Sequence, residues 1–185
     1  MTGHSQFVLI LCAAMLAIGA AAAAADGFFT EFDDFTLKTD RVLELQNERT
    51  DNQPLFMFYP AVDAGIAMTA VNATWTRDGT PMTAEQFTQV YRDAESMIRA
   101  QYEAGGRKLS GYEAQDAVEK EIWGMKSLLC DAVLSVETAE TPVLLYQRGI
   151  RVSGAFGTYL FSLSAWSPEL LEEGTEYLVD ALEWK

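Results

Sequence analysis

The chain opens on a segment that is apolar almost without interruption from Phe7 to Ala20, followed by an alanine run ending at Ala25. A short apolar core closed by small residues at Ala23 and Ala25 is the pattern signal peptidase reads, so residues 1–25 are predicted to be a cleavable secretory signal peptide. The competing reading is a retained membrane anchor, which needs roughly 20 apolar residues; the alanine tail stretches the segment towards that length. The region before Phe7 has no Lys or Arg and offers only the terminal amine and His4 as positive charge. Cys12 follows Leu11 inside the apolar run, so it lacks the small residue that a lipid-anchoring cysteine needs before it.

Further on the period becomes helical. Phe87, Val90, Tyr91, Ala94, Met97, Ile98 and Tyr102 recur every three or four positions, while Glu85, Gln89, Arg92, Asp93, Glu95 and Arg99 fall on the other side. Thr83 and Gln86 have the spacing of a capping box and Gly105-Gly106 the character of a stop, which predicts one helix between them. A second helix is predicted at the end of the chain, with Ser167 as N-cap and Pro168 in its first position. Leu170, Leu171, Tyr177, Leu178, Ala181 and Leu182 make its packing side, and Gly174 in its interior marks a close approach to a sheet.

Between the helices the period is two. Leu128, Cys130, Ala132, Leu134 and Val136 share one face of a strand; Tyr159, Phe161, Leu163 and Ala165 share one face of another, with Ser162 and Ser164 opposite. Val143–Val152 reads as a strand broken at Arg148-Gly149. Phe35–Leu45, Leu55–Tyr59 and Ile66–Thr76 are strand candidates, the last ending in the turn signal Arg77-Asp78-Gly79-Thr80-Pro81. Consecutive strands with short turns and two one-sided helices predict an α+β fold, an antiparallel β-sheet flanked by helices as an α/β/α sandwich. The expected organisation is a signal peptide over 1–25, an N-terminal arm over 26–34 and a single domain over 35–185.

Charge and composition narrow the chemistry. The chain has 13 Lys and Arg against 27 Asp and Glu, a formal charge of −14. Nucleic acid and anionic lipid both require a positive footprint, so neither is an expected partner. No acid, lysine or arginine precedes Asp26, and the single histidine, His4, does. The processed chain therefore keeps the whole charge, has no histidine and retains one cysteine, Cys130, so it cannot form an internal disulfide. Roughly 160 residues suffice to bury a core without staples.

The element order, together with Ala73-Thr74-Trp75-Thr76-Arg77-Asp78-Gly79-Thr80-Pro81-Met82-Thr83-Ala84-Glu85-Gln86-Phe87 and Tyr159-Leu160-Phe161-Ser162-Leu163-Ser164-Ala165, resembles exported proteins of the PsbP-like and DcrB-like α/β/α sandwich group across most of residues 35–184. That resemblance implies a non-enzymatic protein that binds to or supports membrane complexes, and it carries no catalytic signature to transfer. Two features depart from the group: residues 44–53 lack an early proline-glycine turn, and no lipid-anchoring cysteine is present.

The residues themselves offer little for catalysis. Hydrolytic triads use histidine as their usual base, and neither Ser-x-x-Lys nor Gly-x-Ser-x-Gly occurs. No zinc-type Cys/His cluster is present, and Asp33-Asp34 and Glu172-Glu173 lack calcium-loop spacing. Gly105-Gly106 follows a helix, where a phosphate cradle would open one. No catalytic residue, metal or cofactor is therefore expected. Cys130, on an apolar strand face, reads as a small buried hydrophobe, and Asn72-Ala73-Thr74 matches a glycosylation acceptor.

Phe28, Phe29 and Phe32 stand among acids directly after the cleavage site. They either form an arm that docks on a partner or lie down as the first piece of the domain; that much aromatic surface is rarely left free. Together with the exposed sides of the two helices they are the candidate partner contacts. The expectation is a periplasmic or secreted binding or accessory protein that meets an envelope protein or complex and has no stable membrane insertion after cleavage. A carrier of a small apolar ligand and a carboxylate-based enzyme are the alternatives.

Overall fold

The computed structural model describes residues 28–39, 42–45, 51–59, 70–137 and 141–185. The predicted signal peptide lies outside them, as do Asp26, Gly27 and the Ile66–Thr69 part of a predicted strand. In chain order the elements are β1 (Phe28–Glu31), β2 (Phe35–Thr39), β3 (Val42–Leu45), β4 (Gln53–Tyr59), β5 (Ala70–Thr76), α1 (Ala84–Asp93) and α2 (Glu95–Ala104). Then follow β6 (Lys108–Ala114), β7 (Val118–Ile122), β8 (Met125–Glu137), β9 (Val143–Gly154), β10 (Gly157–Ala165), α3 (Pro168–Ala181) and β11 (Leu182–Trp184).

An antiparallel sheet in the order β3-β4-β5-β10-β9-β8-β6 forms the middle layer, with β7 also paired to β8. A smaller antiparallel sheet, β1-β2-β11, joins the two ends of the described chain. Because side chains alternate along a strand, the main sheet separates two cores. Leu128, Cys130, Ala132, Leu134 and Val136 of β8 face Phe87, Tyr91, Ile98 and Tyr102 of α1 and α2, and Ala94 between the two helices. Tyr159, Phe161, Leu163 and Ala165 of β10 face Leu171, Leu178 and Ala181 of α3, together with Phe35 and Leu37 of β2. Every residue of β10 is buried, as a central strand covered on both faces requires. The predicted α+β sandwich, its faces and its helix starts are all present.

The caps form as their spacing dictates. The Thr83 hydroxyl accepts from the Gln86 amide at 3.2 Å, and the Gln86 side chain accepts from the Thr83 amide at 2.9 Å. The Ser167 hydroxyl accepts from the Leu170 amide at 3.2 Å. Gly106 closes α2 with φ of 71°, a conformation that favours glycine.

Four details depart from the pattern read along the chain. The single predicted helix is interrupted at Ala94, giving α1 and α2. There the Tyr112 hydroxyl donates to the Tyr91 carbonyl at 2.8 Å, and the Ala94 amide is shared between the carbonyls of Val90, its regular helical partner, and Tyr91. A side chain inserted into the helical ladder is an established cause of such a break. The predicted strand Phe35–Leu45 is two strands in different sheets, because β2 pairs with β1 and β11 whereas β3 pairs with β4. Leu182, assigned to the last helix, opens β11.

The predicted break at Arg148-Gly149 is absent, and β9 runs through it. The glycine is there for space: a Cβ on Gly149 would lie 1.8 Å from the Tyr91 hydroxyl. Gly149→Ala is therefore expected to lower stability by about 1–3 kcal/mol through overpacking. Adding Tyr91→Phe, which removes the nearest atom, should return part of that loss in urea melts; full additivity of the two changes would contradict the contact.

Candidate functional site

Three arrangements bring together side chains with chemical potential. The first is centred on Arg148 of β9. Its Nε and Nη2 donate to the two carboxylate oxygens of Asp131 on β8 at 2.8 and 2.9 Å, and Nη1 donates to Glu172 at 2.6 Å and Thr175 at 3.1 Å on α3. The hydrogen bond from Arg148 holds the Glu172 carboxyl below its ordinary range, and the bonds to Asp131 keep the guanidinium firmly protonated. With its donors committed to three partners on two elements, the cluster clamps α3 to the sheet and leaves no group poised for proton transfer.

Cys130 is the second. It is 1% exposed, and its thiol donates to the Gln115 carbonyl at 3.4 Å. Burial, reinforced by the Asp131 charge, pushes the thiol up to about 12. The thiolate is the nucleophile, so native Cys130 should react with iodoacetamide far more slowly than the urea-unfolded chain, by more than about tenfold. Equal rates by mass spectrometry would contradict the burial.

An open cleft of about 390 Å³ at one end of the sheet is the third. Its floor comes from the last turn of α2 (Tyr102), the end of β8 (Val136, Glu137) and the start of β9 (Val143, Leu145), and Trp166 walls it between β10 and α3. Tyr102, Val136 and Leu145 are buried, whereas Val143, Trp166 and the neighbouring Leu144 are 36, 40 and 45% exposed. Arg107, just beyond the end of α2, is the rim cation. Glu137 is already engaged by Lys108 at 2.8 Å. The strands position these groups by alternation: Val143 and Leu145 face the cleft, and Leu144 between them turns to the other side.

The residues singled out from sequence lie elsewhere. Phe32 is half-buried in the opposite core, its ring 4.8 Å from Phe35 and 5.6 Å from Phe56. The backbone of Phe28 and Phe29 belongs to β1, paired with β2; their side chains lie outside the described residues. Asn72 of the glycosylation match sits in β5 at 1% exposure, closed to modification in the folded protein. Among the described residues, no group of three or more His, Cys, Asp or Glu side chains is placed to hold a metal. Nor is any described helix long and apolar enough to cross a membrane.

No protein-family model and no curated protein matches the sequence. Solved structures do match. The solution structure of the cyanobacterial PsbP protein CyanoP from Synechocystis sp. PCC 6803 is 8% identical, with 92% of this chain and 99% of that chain covered at a TM-score of 0.52. A protein of unknown function from Pseudomonas aeruginosa, PA94, is 12% identical over 82% of this chain and 90% of that one, at a TM-score of 0.33. At 8% identity the likeness to CyanoP is one of architecture: this chain shares the PsbP-like fold that its element order and its short sequence words led us to expect.

Proposed function

We propose that this chain is an exported, non-catalytic binding or accessory protein that works by contact with an envelope protein or complex in the periplasm or an equivalent space. The observation that carries the reading is the cleft, where Val143 and Trp166 keep apolar surface in water beside buried Tyr102 and Leu145. Contiguous apolar surface rimmed by charge marks an interaction site. Sites for small ligands cover about 70–90% of the molecule they hold. A cleft open along one side suits a segment of another protein better than it suits an apolar ligand carried free.

Placing a photo-reactive amino acid at Val143, which lines the cleft and is 36% exposed, in the native host is expected to give one reproducible protein adduct. The same group at Val118, equally apolar and 55% exposed on β7, should not give it. Identical adduct patterns from the two positions would end the proposal. Mass spectrometry of the recovered protein should show an amino terminus near Asp26; an intact Met1 would remove the export half of it.

A further inference from the structure

Arg107 stands out in the electrostatics of the cleft. Among the described residues it has no ion-pair partner, whereas neighbouring Lys108 is taken by Glu137 and Arg99 by Glu95. The cleft thus presents an uncommitted guanidinium beside an apolar floor, in a chain whose net charge is −14. Trp166 adds an indole N–H that makes no hydrogen bond among the described residues. Both free polar groups are donors.

Guanidinium forks match carboxylates bidentately. A bare anion approaching so acidic a protein is repelled at long range, so the charge contact needs apolar burial alongside it. We propose that the cleft recognises a carboxylate carried next to a bulky apolar side chain on a partner polypeptide. Arg107 takes the carboxylate, and Tyr102, Val143 and Trp166 take the side chain. A polypeptide fits better than a free acyl carboxylate because the cleft is open, and exposed Val143 and Trp166 leave room for backbone to run past the side chain it holds. This inference rests on the protein-contact reading and gives it a chemistry.

The probe is the peptide acetyl-Gly-Gly-Leu-Phe with a free carboxyl terminus, titrated into the processed chain by NMR beside its carboxamide. The acid is expected to shift the amides of Arg107, Val143 and Leu145 and the indole of Trp166, and to bind about tenfold more tightly than the amide. Arg107→Gln, at an exposed position, should bring the acid down to the affinity of the amide, leave the amide unchanged and keep the melting temperature. Trp166→Ala should weaken both peptides. Equal affinity of acid and amide, shifts centred elsewhere, or no saturation would overturn the proposal. Tighter binding of decanoate at the same residues would assign the cleft to an acyl ligand and overturn it too. Crosslinks from Val143 that persist when the peptide fails would leave the protein-contact reading standing without this chemistry.

Discussion

Phe35→Ala is expected to remove about 3–5 kcal/mol of stability, the range for truncating a fully buried aromatic side chain. Phe35 is 0% exposed and belongs to the small sheet, yet its ring meets both ends of the described chain and the main sheet. It lies 4.8 Å from Phe32, 5.2 Å from Trp184, 5.3 Å from Tyr159 and 6.1 Å from Phe56, measured between ring centroids. The Tyr159 hydroxyl donates to Asp34 at 2.5 Å beside it, and the Lys185 amide donates to the Asp34 carbonyl at 3.0 Å. Loss of the ring therefore loosens β1-β2-β11 from β10 as well as leaving a cavity. Urea melts should show a lower midpoint with little change of slope. A loss below about 1 kcal/mol would mean that the small sheet contributes little to the core.

What was legible in the sequence follows from periodicity. The stripe from Phe87 to Tyr102 and the alternation through β8 and β10 identify which side chains share a face, and those faces are the two cores. Periodicity does not name the partner of a strand, so nothing in Phe35–Leu45 shows that its halves enter different sheets. β6 and β7 went unread for a related reason. They lie beside β8 at the margin of the sheet and expose much of their length, so their apolar alternation is weak. The turn between β7 and β8 was equally hidden. Trp123 and Gly124 both have positive φ, 55° and 70°, the geometry of a two-residue hairpin turn, but tryptophan is no usual signal for it. Its ring lies 5.3 Å from Phe161 and 5.8 Å from Trp184, and its indole N–H donates to the Val179 carbonyl at 3.0 Å. Tertiary packing holds it where local preference would not.

The cleft was less legible than the fold. One signal existed: Val143-Leu144-Leu145 breaks the alternation that a half-buried strand should show, which forces an apolar side chain to each face at the start of β9. Trp166 directly before the N-cap Ser167 was another. What joined them, the meeting of the ends of α2 and β8 and the start of β9 beside the start of α3, is a fact of topology. Neither signal is chemically distinctive by itself.

Arg148 is the second place where a large effect is expected, and there the sequence signal was misread as a strand break. Replacing Arg148 with Met keeps an unbranched apolar stem but removes the guanidinium, which strands Asp131, 28% exposed, and releases Glu172, 50% exposed. Breaking a buried pair costs about 3–5 kcal/mol; because both carboxylates keep some water, about 2–4 kcal/mol is expected here. The loss should depend on pH with a definite sign. The folded Glu172 carboxyl is held below its ordinary value of 4.5, chiefly by the hydrogen bond from Arg148. Its share of the stability is complete above the unfolded value and disappears as pH falls through the folded one. The native chain should therefore lose stability below about pH 4.5 in a component that Arg148→Met lacks, so the gap between the two should narrow on acidification. Arg148→Met with Asp131→Leu removes both charges of the more buried pair and should recover most of the loss at pH 7. A double variant no more stable than the single one would show that the cluster acts through packing of the guanidinium and not through the stranded carboxylate.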